Sequence, residues 1–193
     1  MEILKVLKDI VFCLKPGYFQ EIVEREEGGI GGALFAILLS CLLGIGIFAG
    51  LRGIVLGSAF LFSVVLLFAA AAVALYFKSF ATSWAYSKFS VSKKPVNAGK
   101  LFYQVSLVFS ALFFVIAIVF SFLPMEPIYF GVLLFLSVVY YTALVFKANL
   151  PDIANVARTT ENLFLRGAMG FADLIALLII LAGMFGAVSM LAV

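Results

Sequence analysis

The sequence predicts an all-α integral membrane protein with five transmembrane helices. Of its 193 residues, 65% are hydrophobic and 12% are charged, whereas soluble domains are about 45–50% apolar and about 25% charged. The apolar residues form membrane-length runs without the polar outer faces that a large soluble core needs. We therefore expect residues 1–193 to form a single membrane domain.

Residues 1–27 are expected to form a cytoplasmic amphipathic lead. Within it, residues 2–14 carry apolar side chains at helical spacing, and Lys5, Lys8 and Asp9 lie on the other side of the predicted helix. This helix is too short to cross a membrane, because a crossing needs about 20 residues. Two placements stay open: the helix lies in the interface with its lysines at the headgroups, or it packs on the cytoplasmic face of the protein itself.

Five apolar runs follow the lead, and each is long enough to cross a hydrocarbon core about 30 Å thick. The predicted spans cover residues 30–50, 54–77, 101–123, 128–146 and 171–193. The second span is expected to continue as a helix beyond the membrane towards Tyr86. The polar segment 149–170 has apolar residues at helical spacing, which predicts a second amphipathic helix in the interface.

The basic residues predict the orientation of the chain. The segment 78–101 interrupts the apolar runs with five lysines and no acidic residue. With five spans, this loop lies on the same side as the lead and the segment after the fourth span, and together they hold every lysine and arginine except Arg52. Because cytoplasmic loops carry an excess of these residues, the N-terminus is predicted to be cytoplasmic and the C-terminus outside. The lysines expected to contact the membrane surface are Lys5, Lys8, Lys15, Lys88, Lys93, Lys94 and Lys100.

The composition argues against several kinds of chemistry. The chain has no histidine, and its two cysteines, Cys13 and Cys41, have no motif partner; we expect both to be free thiols with a structural role. We therefore expect no catalytic residue, no metal site and no cofactor. The cations do not form one block that could follow a phosphate backbone, so nucleic acid is not an expected partner.

Few polar groups lie within the predicted spans, where a charged side chain is costly unless it is paired or hydrated. Asp173, near the cytoplasmic start of the fifth span, is expected either to stabilise the N-terminus of that helix or to form part of a polar intramembrane site. Lys78 ends the second span and can extend to the interface. Gln104 is the other candidate for such a site; weaker polar groups are Ser106, Ser110, Ser137 and Thr142.

Small residues predict where helices pack. Gly46 and Gly50 end the first span, and Gly53 and Gly57 open the second. Small residues one turn apart let helix backbones approach closely. Since a short turn joins these spans, we expect them to pack as an antiparallel hairpin, with a dimer interface as the alternative.

Together these features resemble the Yip1-domain family of small multi-pass membrane proteins. The resemblance rests on the lead segment 15–22 (KPGYFQEI), on the five predicted spans, and on the segment 97–103 (NAGKLFY) that opens the third span. The Asp-Leu-Tyr-Gly-Pro motif of the eukaryotic branch is absent, which implies a prokaryotic-type member. Eukaryotic members are linked to vesicle trafficking and Rab GTPases, a role that no motif here carries over.

The predicted function is that of a non-enzymatic scaffold or adaptor that organises membrane or membrane-protein partners. The expected partners are the lipid bilayer and either other membrane proteins or copies of this chain, in the plasma membrane if the protein is prokaryotic. The alternative is a small transporter or channel, or a subunit of a membrane complex, which would need a polar path through the spans.

Overall fold

The protein is helical throughout the part of the chain that the computed structural model describes, residues 3–25, 29–54, 57–89, 97–122 and 160–191. These ranges contain six α-helices and no β-strand, which confirms the all-α prediction for them. The helices are α1 (Ile3–Phe12), α2 (Pro16–Glu24), α3 (Ile30–Leu51), α4 (Ser58–Phe89), α5 (Ala98–Phe122) and α6 (Thr160–Leu191).

Four of these helices are long and apolar enough to cross a membrane. The membrane-length stretches are Ile30–Leu51, Ser58–Ala85, Ala98–Val119 and Gly167–Leu191. They correspond to the first, second, third and fifth predicted spans, so the prediction of membrane-length helices is confirmed for these four and is compatible with a multi-pass protein. The fourth predicted span, 128–146, lies outside the described residues, and the total of five spans stays a prediction.

The ends of α4 and α6 show how the long helices extend beyond their apolar stretches. As predicted, α4 continues past the second span and ends at Phe89. α6 begins at Thr160, well before the predicted start of the fifth span at residue 171, and runs without a break to Leu191. The described part of the segment 149–170 is therefore the first part of α6 and not a separate interfacial helix.

The turn between α3 and α4 depends on Gly53. Its φ of 69° lies in the left-handed region that favours glycine. The amide of Gly53 donates to the carbonyl of Gly50, and the amide of Ile54 donates to that of Ala49. These two bonds satisfy carbonyls that the helix end leaves without a partner, so the predicted turn follows the Schellman motif.

Two helix pairs build the bundle. In the parallel pair of α3 and α5, Ile30 lies next to Gly99 near both N-termini, and Gly44 lies against Phe113 further along. α5 is the most enclosed of the long helices, since 67% of its most apolar stretch is buried, compared with 28% in α6.

The second pair, α4 and α6, is antiparallel. The hydroxyl of Ser63 near the start of α4 lies 2.9 Å from the carbonyl oxygen of Ala187 near the end of α6. The two pairs meet where the rings of Tyr76 and Phe102 pack edge to face, 5.5 Å apart. The N-termini of α3, α5 and α6 and the C-terminus of α4 therefore gather at one end of the bundle, which we call the proximal end.

α1 and α2, which we call the N-terminal strap, pack against the bundle at the proximal end. Val6, Ile10 and Cys13 are buried on the side of α1 that meets α3 and α5. Of the two placements that the sequence left open, packing on the protein's own helices is the one observed for this face. The prediction that Asp9 shares the polar side of α1 with the lysines is wrong, because its side chain lies on the buried face and is only 2% exposed.

Candidate functional site

The first candidate site is a buried carboxylate that joins the strap to α5. Asp9 accepts three hydrogen bonds, one from α2, one from the residue that follows α2 and one from α5. Its Oδ1 atom accepts from the hydroxyl of Tyr18 at 2.8 Å and from Nη1 of Arg25 at 3.3 Å. Its Oδ2 atom accepts from the hydroxyl of Tyr103, in the second turn of α5, at 3.0 Å. We call these four residues the Asp9 cluster.

The local sequence explains why these donors converge. Pro16 is well suited to the first turn of a helix, where its missing amide proton costs nothing, and it starts α2 directly after α1. Phe19 and Ile22, one turn apart, are buried and fix the face of α2 that meets the bundle. This packing places Tyr18 in the first turn of α2 and Arg25 just beyond its last turn, both within reach of Asp9.

In the Asp9 cluster the negative charge of the carboxylate is paired with a positive charge. A buried carboxylate is costly unless it is paired and hydrogen-bonded, and here Arg25 supplies the positive charge while two tyrosines supply further donors. Partial burial and the hydrogen bond to Asp9 raise the pKa of the Tyr18 hydroxyl, which therefore stays protonated as a donor. Each bond to the charged oxygen is worth more than a neutral one.

Cys13 lies next to the Asp9 cluster and also contacts α5. Its Sγ atom is a donor to the carbonyl oxygens of Ile10 at 3.3 Å and of Leu107 in α5 at 3.4 Å. Burial and the nearby Asp9 charge raise the pKa of the Cys13 thiol to about 12. Cys13 and Cys41 are both free and buried, which confirms the prediction of unpaired thiols.

Two exposed lysines of the strap rest on aromatic rings. The rings of Phe12 and Tyr18 pack at a tilt with their centroids 5.7 Å apart. The Nζ atom of Lys15 lies 5.1 Å from the Phe12 centroid, and that of Lys8 lies 5.9 Å from the Tyr18 centroid. Since Tyr18 also binds Asp9, the ring pair under Lys8 and Lys15 is attached to the Asp9 cluster.

The second candidate site is an ion pair between α4 and α6. The ammonium of Lys78 contacts the Oδ1 atom of Asp173, and the two side chains are 9% and 15% exposed. The capping role expected for Asp173 and the interfacial placement expected for Lys78 do not match the structure, whereas a polar intramembrane site at Asp173 stays a prediction. Asp173 lies several turns inside α6 and so does not stabilise a helix N-terminus, and the buried Lys78 side chain is paired instead of extending to the interface.

Small and apolar side chains surround this pair. On α6 the buried positions recur alternately every four and three residues, as in a coiled coil, and Asp173 occupies one of them. The buried residues of this stripe are Met169, Ala176, Ile180, Gly183 and Ala187. On α4 the facing stripe contains Leu67, Ala71, Ala74 and Thr82, all buried.

Gln104 is separate from this pair. Its side chain on α5 is 1% exposed, and its Oε1 atom has no hydrogen-bond partner among the described residues. The same holds for Oγ of Ser110, whereas Ser106 donates to the carbonyl of Phe102. Gln104 lies on α5 and Asp173 faces Lys78 between α4 and α6, so the two residues that the sequence placed in one possible polar site lie on different helix interfaces.

The lysines expected at the membrane surface have different surroundings. Lys8, Lys15 and Lys88 are exposed, while Lys5 and Lys100 are half-buried. Lys88 lies in the last turn of α4 and Lys100 in the first turn of α5, so the five described lysines all lie at the proximal end. Lys93 and Lys94 are outside the described residues.

The closest helix approaches occur at glycines that the sequence analysis did not select. A Cβ atom at Gly183 would lie 2.5 Å from Cβ of Ala70, and one at Gly186 would lie 2.7 Å from Cδ2 of Leu66. Among the predicted packing positions, Gly46 only touches the ring of Phe60 at 4.0 Å. No atom of the described residues lies within 4 Å of a Cβ built at the other three, Gly50, Gly53 and Gly57.

Sequence reasoning missed the partners in both sites. Tyr18, Arg25 and Tyr103 were not selected, although Tyr18 and Tyr103 each lie in one of the two short segments on which the family resemblance rests. A signal for Lys78 was available, because a helix that continues to Phe89 places this lysine well inside it. Comparison with known proteins gives no match to a family model, a curated protein or a solved structure.

Proposed function

We propose that this protein is a non-enzymatic scaffold or adaptor that organises membrane or membrane-protein partners through its proximal end. The observation that carries the proposal is the Asp9 cluster. It fixes two short amphipathic helices to the central helix α5 and so presents a defined surface at one end of a membrane bundle. The charged side chains of this cluster point at one another, which supports a structural role for them.

The proposed topology places the proximal end in the cytoplasm, with five spans and the C-terminus outside. The gathering of Lys8, Lys15, Lys88 and Lys100 at one end supports this orientation. Basic residues near an anionic leaflet gain about 1 kcal/mol each, so the lysines of the lead and of the 78–101 loop are proposed to contact headgroups. If the protein is prokaryotic, the membrane is the plasma membrane.

A Yip1-like identity is part of the same proposal. The segments 15–22 and 97–103, which carry the resemblance, are far apart in the sequence. In the structure Tyr18 of the first and Tyr103 of the second bind the same Asp9 carboxylate. A shared contact between these two segments supports a common architectural role for them.

Co-purification of the full chain in mild detergent tests the scaffold function. We expect a stoichiometric membrane-protein partner, or a second copy of the chain, with the wild type and its loss with D9A, which leaves Tyr18, Arg25 and Tyr103 without their acceptor. K88Q is the matched control at the proximal end and should retain the partner. The same partner recovered equally with D9A, or a bound solute and no protein, would count against the scaffold.

A small transporter is the second candidate, and the Lys78–Asp173 pair is the observation that favours it. Intramembrane ionisable residues often mark ion or proton paths. In proteoliposomes with a pH-sensitive dye, a transporter should move protons with the wild type and fail to do so with D173N. Equal and negligible flux in both would exclude proton transport through this pair.

A further inference from the structure

One stripe of α1 alternates apolar and cationic side chains. Leu4, Lys8 and Val11 follow one another by four and three residues, which keeps them on one line of a helix with about 100° between successive residues, and Lys15 follows in the turn between α1 and α2. All four are exposed, with Leu4 at 80% and Val11 at 69%. The neighbouring Ile3 and Leu7 are also exposed, at 54% and 37%.

This stripe does not face the bundle, because α1 has two distinct faces. Val6, Asp9, Ile10 and Cys13 face α3 and α5, while the exposed apolar residues and the lysines occupy the rest of the circumference. Exposed leucine, isoleucine and valine are stable in a bilayer and costly in water. The lysines next to them can keep their ammonium groups at the headgroups while their methylenes lie along the apolar surface.

The position of α1 along the bundle agrees with this arrangement. Its buried face meets α5 at Tyr103 and Leu107. At 1.5 Å per residue, both lie within roughly 14 Å of the start of α5. α1 is therefore held beside the first half of a membrane-length helix, the part that runs from the headgroups into the acyl chains of one leaflet.

We propose that the strap forms a binding site for one anionic phospholipid of the surrounding bilayer. The phosphate lies between the ammonium groups of Lys8 and Lys15, and the acyl chains run along Leu4, Leu7 and Val11. The Phe12–Tyr18 ring pair holds both lysines, and the bond from Tyr18 to Asp9 fixes that ring pair relative to α5. The inference goes beyond the scaffold proposal, since it holds whether or not a protein partner binds.

A phospholipid fits this surface better than the other ligands considered. A soluble phosphate would need the cations but would leave the exposed leucines and valine uncovered. A partner helix would cover the apolar stripe, but it would also remove Lys8 and Lys15 from water, which is costly unless the partner supplies an acidic group for each. One molecule with a phosphate at one end and hydrocarbon at the other satisfies both features.

Native mass spectrometry of the full chain, released from micelles containing equal amounts of phosphatidylglycerol and phosphatidylcholine, tests the site. We expect the wild type to retain one phosphatidylglycerol in preference to phosphatidylcholine. K8Q/K15Q should lower that preference about 25-fold, fivefold for each cation, and K8R/K15R should keep it. K88Q/K100Q removes the same charge from the proximal end without touching the ring pair and should change the preference less than about twofold.

Three outcomes would overturn the site. The first is a preference for phosphatidylglycerol in K8Q/K15Q that is as strong as in the wild type. The second is an equal loss in K88Q/K100Q, which would indicate general charge attraction. The third is displacement of the lipid by millimolar glycerol phosphate, which would indicate a soluble-anion site. L4N/V11N provides an independent check, because it should weaken lipid retention while leaving both cations and the buried face of α1 intact.

Discussion

Lys78 of α4 and Asp173 of α6 form an ion pair inside an interface that otherwise consists of small and apolar side chains. Their positions on antiparallel helices mean that only one sliding register brings the two charges together. In other registers each charge would mostly face small or apolar side chains. The pair therefore specifies how α4 and α6 align along their length, as a single polar residue can in a coiled coil.

Removing one member of this pair should be more harmful than removing both. K78M leaves the Asp173 carboxylate without its ammonium and should lower the free energy of unfolding by about 3–5 kcal/mol. K78M/D173L should recover most of that loss, because the surrounding stripe is apolar. Reversible unfolding in mixed micelles measures both, with K88M as an exposed control. If K78M/D173L were as unstable as K78M, the instability of K78M would not come from the unpaired Asp173 carboxylate.

Loss of the Asp9 cluster should release the strap from α5. D9A leaves three donors without an acceptor, and Cys13 then becomes accessible to a water-soluble maleimide. We expect labelling at least about tenfold faster than in the wild type, equivalent to about 1.4 kcal/mol less protection. Y103F removes one of the three bonds but keeps the Asp9 charge. A smaller increase in the rate of Cys13 labelling in Y103F would therefore come from release of the strap and not from the electrostatic effect of Asp9 on the thiol. The buried Cys41 provides the internal reference, and unchanged Cys13 labelling in D9A would contradict the role of the Asp9 cluster in holding the strap.

The raised pKa of Cys13 predicts an unusual pH dependence. The thiolate is the reactive form, so labelling of the closed strap should keep rising between pH 9 and 11, since the thiol pKa is about 12 compared with an ordinary 9.0. Because the folded value lies above the ordinary one, the contribution of this thiol to stability is complete below pH 9 and is lost as the pH rises towards 12. A labelling rate that levels off near pH 9 would show that the thiol reacts only after the strap opens.

Two glycines in long helices should respond in opposite ways to alanine. In G183A the new Cβ would lie 2.5 Å from Cβ of Ala70, and overpacking of this kind costs about 1–3 kcal/mol. G50A adds a methyl group where no described atom lies within 4 Å. It should be neutral or stabilise by up to about 1 kcal/mol, because alanine is the better helix former. Equal effects in mixed-micelle unfolding would contradict the observed packing.

The helices were predictable because their signals are local. Apolar length predicts α3, α4, α5 and the main part of α6, and the helical spacing of leucine, isoleucine and valine predicts α1. The glycine turn at residues 51–53 was also predictable, since a short polar break between two apolar runs requires a reversal.

The two candidate sites were not predictable because each depends on distant residues. The spacing of the apolar residues in α1 places Asp9 with the lysines. Its burial depends on donors from the α2 region and α5, which offset the cost of removing the carboxylate from water. For Asp173, the expected capping role rested on a helix start at residue 171, whereas α6 begins at Thr160. The prediction of the packing glycines failed for a related reason: sequence neighbours suggested α3 with α4, but the closest approaches lie between α3 and α5 and between α4 and α6.

The bond between Asp9 and Tyr103 spans 94 residues of sequence, which orders events during synthesis. At about 5–20 residues per second, Tyr103 emerges about 5–20 seconds after Asp9. During that interval the carboxylate lacks one of its donors, and the strap has no α5 on which to close. α1 and α2 therefore cannot reach their final position until α5 has been made, so closure of the strap marks a chain in which α5 is already present.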